Sequence, residues 1–387
     1  MPADRSVDVL LVGGGVASVR CARTLRRHGF GGSILLVGDE DLAPYNRPPL
    51  SKELLRADLS DELLAAELPS WYARRSVELL TGASVSAIEA DARRAILADG
   101  ATVAFERCLL ATGAELRPLS IPGAEHALML RTARDAHRLR AAAIAAPRGD
   151  RVVVVGGGFI GLEVASGLAM LGLRPTVVEV APSLWAGTLG TELAAWAAKR
   201  LASIGVELRL ATAATRLGDG AVWLGEELLP AALVVAGIGV IPRDQLANAA
   251  GIAIRDGILC DAQQRTSHPA IWAAGDVARV DGRRVEHWHA AREAGERAAL
   301  SMLGLEVPPP PPPPWVFSEI AGAMLDVIGA VTGWDEERWL KPGRVLAYLD
   351  AGRVVGLASI DGALPAEAGR RLLAAGASMD EVLAAAP

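Results

Sequence analysis

Three glycines in the middle of the chain have the spacing of a nucleotide-binding turn. Gly156, Gly158 and Gly161 follow the apolar residues 152–155, a run typical of a strand buried on both faces of a parallel sheet. In this spacing the first glycine permits a tight turn, the second lets a pyrophosphate approach the backbone, and the third lets the next helix pack closely on the strand. The following apolar run ends in Glu179, where a carboxylate can accept hydrogen bonds from an adenosine ribose. The segment therefore predicts a dinucleotide-binding site.

The N-terminal segment repeats this design. Gly13 and Gly15 follow an apolar strand pattern, and Ser18 stands at the third position, where a small side chain still permits close packing. The next predicted strand is followed by Asp39 and Glu40, again about 20 residues beyond the glycines. Two such segments in one chain mean either a duplicated site or sites for two different dinucleotides.

Composition limits the class of protein. A chain of 387 residues with 51% apolar residues and a net charge of −6 suits a globular protein of two to three domains, and it argues against a nucleic-acid binder. No apolar stretch of about 18 residues is present, so no membrane-spanning helix is expected. The N-terminus has no secretion signal pattern, and Cys21, Cys108 and Cys260 have no metal-ligand spacing. We therefore expect a cytoplasmic protein with buried thiols and no metal site.

Several motifs together carry a resemblance to a known family. The sequence resembles the FAD-dependent, NADH-oxidising ferredoxin reductases that supply electrons to Rieske-type dioxygenases and to cytochromes P450. Besides the two glycine segments, the motifs are PYNRPPLSK (residues 44–52), LLATGAELRP (109–118), GIGVIP (237–242) and RTSHPAIWAAGDVA (265–278). The resemblance covers nearly the whole chain.

The resemblance implies an α/β fold with two Rossmann-like dinucleotide-binding domains and a small α+β C-terminal domain. The FAD-binding domain would comprise residues 1–112 and 236–306, and the NAD-binding domain residues 113–235. The C-terminal domain would span residues 307–387 and begin with the proline run 308–314, which we expect in the polyproline II conformation. We predict a β-hairpin and a helix around residues 370–373 for the rest of it.

The resemblance also implies the catalytic residues. Lys52 would lie beside the flavin N5 and pair with Glu163, since reduction by hydride adds negative charge that a fixed ammonium stabilises. Trp288 would stack on the flavin or the nicotinamide. The alternative for Lys52 is a solvated lysine at a helix end. We expect Ser51 to be the N-cap of that helix, and the preceding prolines to preclude regular structure through Pro49.

The remaining candidate residues contact the two cofactors. For FAD they are Gly13, Gly15, Val16, Ala17, Asp39, Glu40, Arg47, Lys52, Ala111, Thr112, Gly113, Arg117, Gly275, Asp276 and Trp288. For NADH they are Gly156, Gly158, Phe159, Ile160, Gly161, Glu163, Glu179 and Gly237. Three have alternatives: Arg47 as a surface residue, Asp276 as a turn or N-cap residue instead of a ribitol ligand, and Phe159 as a core side chain instead of a gate over the flavin.

Glu179 favours NADH over NADPH, because its carboxylate would repel a 2′-phosphate. Residues 181–190, which follow it, contain no arginine or lysine, whereas relatives usually place arginines there. The lack of positive charge strengthens the prediction of NADH and indicates weaker contacts to its phosphates.

The predicted reaction takes hydride from NADH onto FAD and passes electrons singly to a [2Fe–2S] ferredoxin that feeds an oxygenase. A basic patch for an acidic ferredoxin is expected near Trp288, with the candidates Arg283, Arg284, Arg292 and Arg297. No cysteine lies between Cys21 and Cys108, which argues against disulfide and peroxide chemistry. Two alternatives stay open: an NADH dehydrogenase that uses a quinone or another acceptor, and a regulatory flavoprotein of low turnover.

Overall fold

The computed structural model describes residues 4–57, 59–309, 313–329 and 333–386. The chain divides into two compact units. The first unit comprises residues 1–46, 60–115 and 240–311, and the second comprises residues 47–59, 116–239 and 312–387. The predicted polyproline run falls partly on residues 310–312, which lie outside the described residues. Within the described ranges, no helix is both long enough and apolar enough to cross a membrane.

A seven-stranded sheet forms the centre of the first unit. Its path runs through Val77–Leu80, Ile34–Val37, Arg5–Val12, Thr102–Leu110, Arg94–Leu97 and Val85–Glu89, and Ile271–Ala273 pairs with Thr102–Leu110. The pairings among the first four strands and with Ile271–Ala273 are parallel, whereas the last two strands pair antiparallel. Buried apolar side chains lie on both faces of this sheet, as parallel strands covered on both sides require.

Helices and a small second sheet complete the first unit. The helices are Val16–Arg27, Asp61–Leu64, Pro69–Arg74, Gln245–Ala249 and Trp288–Met302. The small sheet contains Ile258–Cys260, Ala278–Val280 and Arg283–Arg284. Helices Val16–Arg27 and Trp288–Met302 share one hydrophobic cluster on one face of the main sheet.

The second unit is built on a five-stranded parallel sheet. Its strand order is Glu207–Arg209, Arg174–Val178, Arg151–Val155, Leu233–Ala236 and Ala127–Met129. The α-helices of this part are Glu53–Arg56, Ala133–Ala145, Phe159–Met170 and Gly190–Ser203, with a 3₁₀ turn at Ala124–His126. A three-stranded antiparallel sheet contains Arg216–Gly218, Ala221–Leu224 and Glu227–Pro230.

The C-terminal part of the second unit is larger than the predicted hairpin and helix. It contains a five-stranded antiparallel sheet in the order Trp315–Ile320, Ala323–Gly329, Arg353–Ile360, Val345–Asp350 and Glu336–Lys341. Helices Ala366–Ala375 and Met379–Ala385 follow. The prediction found only part of the sheet because tryptophans and charged residues interrupt the alternation of apolar residues in its outer strands.

The segment around Lys52 differs from the prediction. Residues Pro48–Ser51 form a 3₁₀ turn, and Lys52, not Ser51, is the N-cap of helix Glu53–Arg56. The prediction was wrong because prolines at the start of a helical turn have φ values that suit it, and their missing N–H groups need no acceptor there.

Two short strands lie where the chain leaves and re-enters the first unit. Ala114–Leu116 pairs with Val240–Pro242 in a two-stranded sheet. The predicted fold class is confirmed: each unit has a strand–turn–helix–strand segment in a parallel sheet, and an α+β part closes the chain.

Candidate functional site

The turn after the first strand leaves no room for a side chain at Gly13. Its φ is +116°, and a Cβ atom there would stand 2.1 Å from the carbonyl oxygen of Ala111. Gly15 is the N-cap of helix Val16–Arg27, whose first turn contains no acidic residue. N–H groups at such a helix start can bind a phosphate, so this turn suits the pyrophosphate of a dinucleotide.

The two acids beyond the next strand each bind a neighbouring residue of the same unit. Asp39 Oδ2 lies 2.8 Å from Arg243 Nη1, and both side chains stay about two-fifths exposed. Glu40 Oε2 accepts a hydrogen bond of 2.5 Å from the Tyr45 hydroxyl. Sequence reasoning did not foresee the contact of Arg243 with Asp39.

The segment at Thr112 is fixed by hydrogen bonds to the returning chain. Thr112 Oγ1 donates to the carbonyl oxygen of Arg243 at 2.6 Å, and the Arg243 N–H donates to Gly113 O at 3.0 Å. Gly113 has a φ of +71°, in the left-handed region that favours glycine. A left-handed glycine therefore precedes the strand Ala114–Leu116.

The helix that begins at Trp288 packs on the helix of the first turn. A Cβ atom on Gly295 would stand 2.1 Å from the carbonyl oxygen of Ala17, so the contact requires glycine. Gly275, with a φ of +80°, lies beside Ala17 as well, and Asp276 follows it, half-buried. Sequence reasoning missed Gly295, whose signal was a lone glycine within a helical pattern.

Both the indole N–H and the ring face of Trp288 make contacts. Its Nε1 donates to Asn46 Oδ1 at 2.9 Å, and the Arg292 guanidinium lies 4.5 Å from the ring centroid. Burial and the neighbouring charges of Arg20 and Arg23 lower the pKa of Arg292. Arg292 therefore lies close enough to Arg20 and Arg23 to feel the charge of both.

Two other members of the expected basic patch, Arg284 and Arg297, are engaged within the chain, whereas Arg283 is exposed. Arg284 forms ion pairs with Asp256 and Glu286, and Arg297 donates hydrogen bonds to backbone carbonyls, among them that of Pro308 at 2.8 Å. The ion pairs offset the charge of Arg284, whereas Arg297 keeps its charge but directs N–H groups to the chain's own carbonyls.

In the second unit, two close backbone approaches shape the turn of the central glycines. A Cβ atom on Gly156 would stand 2.4 Å from Gly237 O, and one on Gly161 would stand 2.1 Å from Gly156 O. Gly156 has a φ of +111°, and Gly158 is the N-cap of helix Phe159–Met170. This helix also has no acidic residue in its first turn, so the turn suits an anionic ligand.

Glu179 is fixed by backbone donors. Its Oε2 accepts from the Gly157 N–H at 2.6 Å, and its Oε1 accepts from the Ala181 N–H at 2.8 Å. The carboxylate stays half-buried at the end of its strand. Since each carboxylate oxygen can accept more than one hydrogen bond, it can still receive ribose hydroxyls.

A buried polar cluster surrounds Glu163. Lys52 Nζ lies 2.7 Å from Glu163 Oε2, which also accepts from Ser51 Oγ at 2.5 Å, while Oε1 accepts from Ser318 Oγ at 2.6 Å. Lys52 is 7% and Glu163 4% exposed, so the ion pair is shielded from water. The Phe317 ring lies 5.9 Å from Lys52 Nζ. The pairing implied by the resemblance is present, and Ser51 and Ser318 are members of the cluster that sequence reasoning missed.

The other candidate residues differ in their contacts and in their exposure to solvent. Arg47 donates to the carbonyl of Arg131 at 2.5 Å, and Arg117 is exposed. Phe159 contacts the Trp185 ring, with centroids 5.4 Å apart, and Ile160 is 44% exposed.

The residues present fit two dinucleotides. Each unit has a glycine turn that a Cβ atom would fill, a helix start without acidic residues, and a carboxylate at the end of the next strand. This is the donor and acceptor set that a pyrophosphate and a ribose require.

Comparison with known proteins is consistent with this geometry. The model of the family described as pyridine nucleotide-disulphide oxidoreductase matches residues 7–295. The chain is 35% identical to the ferredoxin–NAD(+) reductase component of the anthranilate 1,2-dioxygenase system of Burkholderia cepacia, over 96% of this chain and 95% of that protein. It is 32% identical to putidaredoxin reductase of Pseudomonas putida, over 92% of this chain and 88% of that protein.

Solved structures agree with the sequence comparison. The crystal structure of a covalent putidaredoxin reductase–putidaredoxin complex matches with a TM-score of 0.91 and 30% identity, covering 99% of both chains. A ferredoxin reductase for the CYP199A2 system of Rhodopseudomonas palustris matches with a TM-score of 0.86 and 32% identity, covering 92% of this chain and 91% of that chain.

Proposed function

Because the chain belongs to the pyridine nucleotide-disulphide oxidoreductase family, we propose that it is an FAD-dependent NADH:ferredoxin reductase of an oxygenase system. Its electron acceptor is a [2Fe–2S] ferredoxin. The assignment accords with relatives that are ferredoxin–NAD(+) reductase components of dioxygenase systems and with a neighbour solved as a complex with its redoxin.

The observation that carries this proposal is the pair of nucleotide-binding turns on separate units. Gly13 and Gly156 each have a φ above +100° and each lies against a backbone carbonyl that excludes a side chain. One turn serves a bound cofactor and the other a coenzyme that exchanges. FAD supplies the chemistry that links NADH oxidation to single-electron transfer, because a flavin accepts two electrons as hydride and gives them up one at a time.

The thiols separate this chain from the disulfide reductases of the same family. Cys21 and Cys108 are buried, and burial raises the pKa of both. Burial likewise raises the pKa of Cys260 to about 12. A thiol must ionise to attack a disulfide, so none of the three is suited to that chemistry at neutral pH. Free thiols also support a cytoplasmic location, where they stay reduced.

The residue roles are part of the proposal. We assign FAD to the first unit, through Gly13, Gly15 and Asp39, and NADH to the second, through Gly156, Gly161 and Glu179. The division into an FAD domain (1–112 and 236–306), an NAD domain (113–235) and a C-terminal domain (307–387) stays a prediction.

Lys52 supplies a positive charge that offsets the negative charge added to the flavin by reduction. Its ammonium is held by Glu163, and the two serine hydroxyls bind the carboxylate so that its orientation is fixed. The cost of burying this charge is offset only with such partners. We propose Lys52 and Glu163 as catalytic residues together with Trp288.

The test is anaerobic reduction followed by electron transfer. We expect the purified protein to show a flavin spectrum that NADH bleaches and NADPH does not, and then to reduce an added [2Fe–2S] ferredoxin. Bleaching by NADH with transfer to a quinone but to none of several ferredoxins would favour the dehydrogenase alternative. Slow reduction at high NADH concentration would favour a regulatory flavoprotein, and failure to bind FAD would overturn the proposal.

A further inference from the structure

Trp185, in the loop after Glu179, combines two features that rarely occur together. Its φ is +50°, in a region that bulky side chains seldom adopt. Its side chain is only 7% exposed, and within the described residues its indole Nε1 has no hydrogen-bond partner. Buried N–H groups without a partner are uncommon, and residues in unfavourable backbone conformations cluster at ligand sites.

The loop packs on the glycine turn of the second unit. The Trp185 ring lies 5.4 Å from that of Phe159, the first residue of the helix after the turn. A methyl carbon of Leu184 lies 3.1 Å from the place of a Cβ atom on Gly157. The Thr188 N–H donates to the Trp185 carbonyl at 2.9 Å and so holds the left-handed residue in its turn. Trp185 is therefore part of the wall of the second nucleotide site.

Because this loop has no cationic side chain, the hydrogen-bond donors that it offers to a dinucleotide must be neutral. Residues 180–198 contain no lysine or arginine, so no cationic side chain from this loop can meet the phosphates of a dinucleotide. Backbone N–H groups at the start of helix Phe159–Met170 supply some of the hydrogen bonds. A buried indole N–H beside this helix start is a further donor whose partner a bound ligand can supply.

We propose that Trp185 is a coenzyme-binding residue whose indole N–H donates a hydrogen bond to an oxygen of the ADP-ribose part of NADH. This inference rests on the proposed function, since it assigns NADH to the second unit. Trp185 takes the place of a charged donor in this loop, and its ring also packs against Phe159.

The test uses ADP-ribose, which binds as the coenzyme does but takes part in no redox reaction. Its dissociation constant is measured by titration calorimetry on the full-length FAD-bound protein and on the Trp185→Phe variant. This variant keeps an aromatic ring but removes the N–H donor together with part of the indole volume, and we expect binding to weaken roughly 3- to 10-fold. Trp196→Phe is the matched control, because Trp196 lies under Arg200 on helix Gly190–Ser203 and should bind ADP-ribose as the parent does.

A second readout reports the hydrogen bond itself. In a ¹⁵N-labelled protein, the indole N–H signal that disappears in the Trp185→Phe variant identifies Trp185, and ADP-ribose should shift this signal downfield and slow its exchange with water. Equal affinities of parent and variant, or an indole signal that does not respond to ADP-ribose, would overturn the inference while leaving the proposed function intact. A parent protein that holds FAD but binds neither ADP-ribose nor NADH would overturn both.

Discussion

Removing Lys52 while keeping Glu163 should destabilise the second unit more than removing both charges. The carboxylate is 4% exposed, so Lys52→Met leaves it buried without its cation. Breaking a buried pair in this way costs about 3–5 kcal/mol. Ser51 and Ser318 still donate to the carboxylate, so we expect roughly 2–4 kcal/mol.

The double variant Lys52→Met/Glu163→Gln removes the uncompensated charge and keeps a side chain that both serines can bind. Neutral replacement of a buried pair is often tolerated, so it should cost about 1 kcal/mol or less, with a coupling energy of about 1–3 kcal/mol. Guanidinium unfolding of the FAD-bound protein, followed by tryptophan fluorescence and circular dichroism, measures the parent, Lys52→Met, Glu163→Gln and the double variant.

Arg56→Met is the control for losing a cation near this cluster. Arg56 pairs with Glu319, and the Glu319 side chain that this variant leaves behind is 13% exposed, against 3% for that of Glu163, so water reaches it more readily. We expect Arg56→Met to lower the free energy of unfolding by about 1 kcal/mol or less. If Lys52→Met were no less stable than the double variant, the ion pair would not be buried as described, and the reasoning on Lys52 would fail.

Three further changes test other parts of the molecule. Gly13→Ala should weaken FAD binding roughly tenfold or more, because its Cβ would lie 2.1 Å from the Ala111 carbonyl oxygen. Gly14→Ala is the control, because the nearest atom to its Cβ would be 3.7 Å away, and it should bind FAD almost normally. A fluorescence titration of the apoprotein measures both. Glu179→Ala should lower the preference for NADH over NADPH roughly tenfold, measured as the ratio of kcat/KM values; an unchanged ratio would exclude Glu179 from coenzyme selection. Burial would raise the pKa of Glu296, but hydrogen bonds from the arginines at positions 27 and 20 outweigh it and lower the pKa below its usual 4.5. The resulting stabilisation is present above about pH 4.5 and disappears as the pH falls through the lowered pKa, so Glu296→Gln should cost about 0.5–1 kcal/mol at pH 7 and progressively less as the pH falls below 4.5 in denaturant titrations.

The two glycine turns could be predicted because their physics is local. A strand, a turn with a left-handed glycine and a helix follow one another within about 25 residues, and each leaves a pattern in the sequence. The carbonyls that exclude a side chain there could not be predicted. Those of Ala111 and Gly237 come from a neighbouring parallel strand far along the chain, and no pattern near Gly13 or Gly156 reveals which strand that is.

The cluster around Glu163 shows the same limit. Ser51 lies 112 residues and Ser318 155 residues from Glu163 in the chain, so spacing carried no sign of either contact. Resemblance to a family supplied Lys52 and its partner, whereas local reasoning placed Ser51 at a helix N-cap. A serine before a helix usually accepts hydrogen bonds from the first N–H groups of the helix, but here the Ser51 hydroxyl donates to a buried carboxylate.

Asp39 and Glu179, which each follow the second strand of a nucleotide-binding segment, have different electrostatic surroundings. This difference bears on which dinucleotide each glycine turn suits. Asp39 is paired with the Arg243 guanidinium, which offsets part of its charge. Glu179 accepts hydrogen bonds from the backbone N–H groups of Gly157 and Ala181, and the loop that follows it has no lysine or arginine. A partly neutralised site suits a cofactor that stays bound, because it repels no phosphate. A site that keeps its negative charge holds a dinucleotide more weakly and rejects one with a 2′-phosphate, as a reductase that exchanges NADH at every turnover requires.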